Sequence, residues 1–189
     1  MGFSLLEVLI SVIILSFGLL GMVGLQAAAL QGNRDARLQS SAVNLARELA
    51  EMMRGNKDIS LLATANPYIG NFNTRPLAAV TPAYCLNVAA GTLPCANGTQ
   101  IANAQMTEWL SRVEAELPSP VVRVCIDSAP FETSGIAKWD CSATGTGVST
   151  VIKIGWTKTV TDKTKEGNDA LARAARPSVV IPVTPGNAA

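Results

Sequence analysis

Residues 8–33 read VLISVIILSFGLLGMVGLQAAALQGN, a stretch of 26 residues without a formally charged side chain. A helix needs about 20 apolar residues to cross the hydrocarbon core of a bilayer, so this one is long enough to span. A cleaved secretory signal has a shorter apolar region, about 7–15 residues, that ends at a small-residue cleavage site. Here the apolar run passes without a break into a second helical pattern. Gly18, Gly21 and Gly24 recur three residues apart, near one helical face. They admit two readings, both open at this point. Small residues let helices approach closely in a membrane, and each glycine weakens the helix by about 1 kcal/mol, which marks a place to bend or unwind.

The second pattern starts near Arg34. Leu38, Ala42, Leu45, Leu49 and Met52 or Met53 follow at spacings of three and four, while Arg37, Arg47, Glu48, Glu51 and Arg54 mostly occupy the other faces. That is an amphipathic helix with one stripe to bury. Gly55-Asn56 supplies a C-terminal stop. Joined, the two patterns predict one helix from Phe3 to Arg54, about 78 Å long at about 1.5 Å per residue. Its first half, apolar all round, is expected against lipid or like helices. Its second half is expected to pack on a globular domain.

The rest of the 189 residues allow one ordinary domain. Fifteen lysines and arginines against 14 aspartates and glutamates give a net charge of +1, without the basic stripe of a nucleic-acid binder. Aromatics are 5%, too few for a base-stacking platform. Histidine is absent, which removes the usual general base, the Ser-His-Asp and Cys-His arrangements and every zinc site with a His ligand. Scattered serines make no nucleophile without a base. No phosphate-binding glycine loop and no motif of paired carboxylates appears, so neither an enzyme nor a cofactor is expected.

Within residues 55–189, the stretch Gly55–Tyr84 holds Asn66-Pro67, Arg75-Pro76 and Thr81-Pro82 and reads as a long loop. A helix is predicted from Gln100 to Leu117, where Met106, Leu110, Val113 and Leu117 recur beside Trp109, with Pro118 and Pro120 ending it. Strands are predicted at Val121–Asp127 and at Val148–Lys158, where Ile152, Ile154 and Trp156 alternate with Lys153 and Lys158. A third, at Pro177–Val183, is demoted to an edge by its prolines. Asp162–Arg176 reads as a polar connection with a helical turn at Ala170–Ala175. These elements predict an α+β head: a small antiparallel sheet on the amphipathic half of the long helix.

The four cysteines are Cys85, Cys95, Cys125 and Cys141. The close pairs of a structural zinc site, such as Cys-x-x-Cys, are absent, so no metal is expected. Four cysteines allow three pairings. Sequence neighbours are the simplest, Cys85 with Cys95 and Cys125 with Cys141, each closing a loop that contains one glycine and adding about 3 kcal/mol if unstrained. Disulfides would place the head in an oxidising compartment.

One carboxylate is out of place. Glu7 opens the apolar run in GFSLLEVLIS, and no Lys, Arg or His lies within the first 33 residues to pair with it. An ionised group in a transmembrane stretch costs about 2.5–3.5 kcal/mol even on lenient scales. Either it reaches interfacial water or it meets a cation on another chain, where the available group in a like chain is an α-amine.

Gly2-Phe3-Ser4-Leu5-Leu6-Glu7-Val8-Leu9-Ile10 resembles the processing motif of type IV prepilins. The resemblance implies the type IV pilin fold with disulfide-closed loops. It also implies cleavage by a prepilin peptidase between Gly2 and Phe3, N-methylation of Phe3, and an assembly contact between Glu7 and the amine of a neighbouring subunit. The parts would be a leader remnant at 1–2, a transmembrane and filament-core helix at 3–33, its amphipathic half at 34–54, and a head at 55–189. The lysines and arginines that ordinarily precede the glycine are missing from Met1-Gly2. A start upstream of Met1 is therefore expected, and the N-terminus-in orientation comes from the resemblance alone.

The head resembles those of minor pilins of the type IV pilus modification family. The matching residues are Trp109 with Leu117-Pro118, Cys125-Ile126-Asp127, Cys141, Lys153-Ile154-Gly155-Trp156 and Arg176. That resemblance implies a minor pilin that joins other minor pilins and the major pilin, primes pilus assembly for adhesion and twitching motility, and sits at the tip with a large adhesin. It implies a single-pass inner-membrane protein with a periplasmic head, later extracellular in the pilus, and no nucleic-acid partner. A minor pseudopilin of a type II secretion system and a major pilin share the N-terminal motif and stay open as alternatives. A membrane-tethered enzyme and an isolated periplasmic binding module are the other classes weighed, and neither has a motif to support it.

Overall fold

The computed structural model describes residues 4–86, 93–145, 147–159, 171–172 and 174–184. Helix α1 runs Leu5–Gly55, followed by a single turn α2 at Lys57–Ser60, strand β1 at Gly70–Phe72 and helix α3 at Gly98–Glu116. Strands β2 (Val121–Asp127), β3 (Ser149–Gly155), β4 (Lys158–Thr159), β5 (Leu171–Ala172) and β6 (Val179–Val183) complete the chain. Two compact units result, Met1–Leu38 and Gln39–Ala189. The head unit thus takes in the last turns of α1, where the sequence reading began the head only at residue 55.

The reason is the buried stripe of α1. Ala42, Leu45, Ala46, Leu49, Ala50 and Met53 are all buried. Alanines every fourth residue leave a shallow groove beside the leucines, so a partner can come close. Part of that partner is α3, whose Trp109 indole Nε1 donates to the Leu45 carbonyl at 2.9 Å. Arg112 forks onto the Glu48 carboxylate from the same helix, with Nη1 to Oε2 at 2.8 Å. The start of α3 is capped by Asn97, whose side chain accepts from the Gln100 amide at 2.9 Å, satisfying one of the donors a helix start leaves open.

The main sheet is antiparallel, in the order β1-β2-β3-β6. Val122 opposite Ile154 and Val124 opposite Ile152 form its apolar face, and all four are fully buried. β6 is an edge strand and carries Pro182 opposite Val151, as the prolines there predict.

Four details differ from the sequence reading. β1 lies inside the stretch read as loop. Three residues carry no alternation to read, and pairing with the edge of β2 makes them a strand. Second, the strand predicted over 148–158 stops at Gly155. The chain then turns away, and Lys158–Thr159 pairs with Leu171–Ala172 in a separate ladder. Third, that ladder replaces the helical turn expected at 170–175 over its described residues. Fourth, Lys153 does not face water. Every residue from Val151 to Trp156 is buried, because residues 128–142 fold over the sheet face opposite the apolar one.

Candidate functional site

Two features of the chain stand apart from its apolar core. The first is the front of α1. Leu9, Ile13, Phe17, Leu20 and Leu30 are all exposed, as are the other large apolar side chains from Leu5 to Leu30. The helix is long and apolar enough to cross a membrane, and none of its most apolar window is buried within the chain. The Ser11 and Ser16 hydroxyls donate to the carbonyls of Glu7 and Val12, each at 2.7 Å. That hides their polar atoms against the helix and leaves the surface apolar. A Cβ at Gly18, Gly21 or Gly24 would meet nothing within 4 Å, so no contact within the described chain requires glycine there. Glu7 sits exposed in the first turn, its amide donating to the Ser4 carbonyl at 3.0 Å. Among the described residues no cation lies within ion-pair distance of its carboxylate. This surface can exchange lipid for other apolar helices at little cost, since both cover the same area.

The second feature is the segment 128–142 and its anchor. Lys153 Nζ, fully buried, donates to Asp127 Oδ2 at 2.6 Å, to the Asp140 carbonyl at 2.7 Å and to the Lys138 carbonyl at 2.9 Å. Its three protons are thereby used. The other oxygen of Asp127, Oδ1, accepts from the Ala129 amide at 2.9 Å and the Ser142 amide at 3.1 Å. Burial alone would raise the Asp127 carboxyl. The hydrogen bonds from Lys153, Ala129 and Ser142, with the lysine charge, outweigh that and hold it below its ordinary value. A buried ion pair whose ammonium protons are all used and whose two carboxylate oxygens both accept is the arrangement that offsets the cost of leaving water.

Around this pair the cover is tied down further. Cys125 is bonded to Cys141, with their Cα atoms 6.4 Å apart. Trp139 Nε1 donates to the Ala174 carbonyl at 2.8 Å. Beneath Trp139 lies Gly155, where a Cβ would come within 2.8 Å of the indole and 3.0 Å of the Arg176 carbonyl oxygen. Arg176 Nη1 reaches Glu132 Oε1 at 2.7 Å, and that hydrogen bond holds the Glu132 carboxyl below its usual range. At the tip, Phe131 and Ala137 form one bridge, and Phe131 and Ile136 are exposed.

Cys125, Asp127 and Cys141 present sulfur and oxygen atoms within 4.8 Å of one another. They do not make a ligand set, because the two sulfurs are bonded together and the carboxylate is taken by Lys153. Cys85 is bonded to Cys95, Cα to Cα 5.0 Å. Gly2 and Phe3 lie outside the described residues. The Lys153–Asp127 pair was missed from the sequence, since alternation sent Lys153 to solvent. One signal was present: an Asp two residues after a cysteine, with a Lys at an inward-flanked strand position.

A family model described as Tt1218-like, type IV pilin Tt1218, matches residues 24–109. The match covers the end of the apolar run, the amphipathic half of α1, the Cys85–Cys95 region and α3 as far as Trp109, and stops before β2. No curated protein and no solved structure matches significantly. The match falls on the segment where an apolar helix turns into the buried spine of an α+β head, and together with that fold it makes the chain similar to the type IV pilins, a family of generally structural subunits that assemble with one another into a pilus.

Proposed function

We propose that the chain is a minor pilin that joins other minor pilins to prime pilus assembly, at the tip and beside a large adhesin. The observation that carries the assembly reading is Glu7. It is a lone carboxylate at the entrance of a helix half whose apolar side chains find no cover in the chain. In this reading a prepilin peptidase cuts between Gly2 and Phe3 and the new Phe3 amine is methylated. The subunit waits in the inner membrane with its head in the periplasm. On assembly the helix leaves lipid for a bundle with the major pilin and other pilins, where Glu7 meets the Phe3 amine of a neighbour. The pairing offsets a cost of about 2.5–3.5 kcal/mol for an ionised carboxylate among apolar helices.

What favours a minor subunit is the head. Of the residues that carry the resemblance to the pilus modification family, Cys125, Asp127, Lys153, Gly155 and Arg176 border the 128–142 cover and Cys141 lies in it. Glu7→Ala tests the reading. Membrane abundance should hold, because removing a charge makes the span more apolar. Co-purification with partner minor pilins and the number of surface pili should fall. Normal co-purification with normal piliation would count against the pairing, and mass spectrometry of pilus-associated protein should find a mature chain starting at methylated Phe3.

A further inference from the structure

Cys125 and Cys141 are placed by different means. Cys125 lies in β2, held by a seven-residue ladder with β3. Cys141 lies sixteen residues on, in a segment without regular structure. The backbone on both sides of Cys141 is nevertheless anchored. Lys153 holds the carbonyls of Lys138 and Asp140 just before it, and Asp127 holds the amide of Ser142 just after it. The Ser142 carbonyl in turn accepts from the Ser128 amide at 2.7 Å. None of these contacts uses a sulfur atom.

We propose that the buried Lys153–Asp127 pair is a positioning device for oxidation, docking the 128–142 segment so that the Cys141 thiol meets the Cys125 thiol before the disulfide exists. β2 and β3 pair first and bring Asp127 to Lys153. The pair then gathers the chain on either side of Cys141. A disulfide oxidant, protein or glutathione, is attacked by one thiolate to give a mixed disulfide. The second thiolate displaces it: one S–S bond forms in the chain, the oxidant leaves as two thiols, and two electrons pass to it. Lys153 and Asp127 do not touch the reacting sulfurs, so both are positioning residues. Among the described residues no hydrogen bond or ion pair joins Cys85 or Cys95 to either, and that couple serves as an internal reference.

The test uses the full chain in detergent micelles, equilibrated in glutathione redox buffers, quenched by alkylation and mapped by mass spectrometry. Lys153→Met should lower the effective thiol concentration of the Cys125–Cys141 couple by about tenfold or more, since charge-assisted anchors are lost. Cys85–Cys95 should stay unchanged. An unchanged Cys125–Cys141 value, or an equal fall in both couples, overturns the proposal. A second variant does not depend on Lys153→Met folding. In Cys125→Ser/Cys141→Ser the segment should remain docked, and tryptic cleavage after Lys138 should stay as slow as in the parent. Cleavage there at the rate of the urea-unfolded chain also overturns it.

Discussion

The two parts of α1 share one backbone and the same kinds of apolar side chain, and those side chains behave oppositely. Leu20 and Leu30 are 69% and 70% exposed, whereas Leu45 and Leu49 are 3% and 0%. The difference lies in the arrangement of the apolar residues. A stripe can be covered by a single domain, and residues 39–55 bury theirs in the head unit. A helix apolar on every side needs neighbours on every side, which one chain of this size does not supply. The front of α1 is therefore a surface that awaits lipid or other subunits, while the rest is internally satisfied.

Substitutions should divide along the same line. The largest effect is expected from Lys153→Met, which strands the fully buried Asp127 carboxylate. Breaking one side of a buried pair costs about 3–5 kcal/mol, read as a lower urea midpoint for the head, and Asp127→Asn added to it should recover part of the loss. Leu49→Ala should cost about 2–5 kcal/mol in the same assay, by the cavity it opens at a fully buried site. Gly155→Ala comes next, at about 1–3 kcal/mol, because its methyl group would press on the Trp139 ring and on the rigid Arg176 carbonyl.

Acid should weaken the head. The Asp127 carboxyl is lowered in the folded state, so its contribution is present above the unfolded carboxyl value of about 3.9 and is lost as pH falls through the folded one. Head melting temperature should drop below about pH 4 in the parent chain and less steeply in an Asp127→Asn/Lys153→Met variant. Glu132 follows the same sign through Arg176, but its exposure makes that part salt-sensitive. The smallest effect is expected from Leu20→Ala, which should leave head unfolding where it was. A shift of the head midpoint by Leu20→Ala would break the contrast between the two parts of α1.

Local pattern by itself determined much of this protein. An uncharged run too long for a signal, passing into a three-and-four repeat, defines α1. Period-two apolar residues define β2 and most of β3, and the prolines before and within β6 place it at an edge. These are legible because each depends only on residues a few positions apart. Tertiary structure alone decided the rest. β1 is a strand because β2 offers it an edge, and Gly155 is needed because Trp139 and Arg176, distant along the chain, close over it. Lys153 shows the reason most plainly. Alternation correctly placed its side chain on the face of β3 opposite the apolar core, but whether that face meets water depends on where residues 128–142 go. Their course is set by contacts such as Asp127 with Lys153, 26 residues apart, and Glu132 with Arg176, 44 apart, separations at which no sequence period carries information.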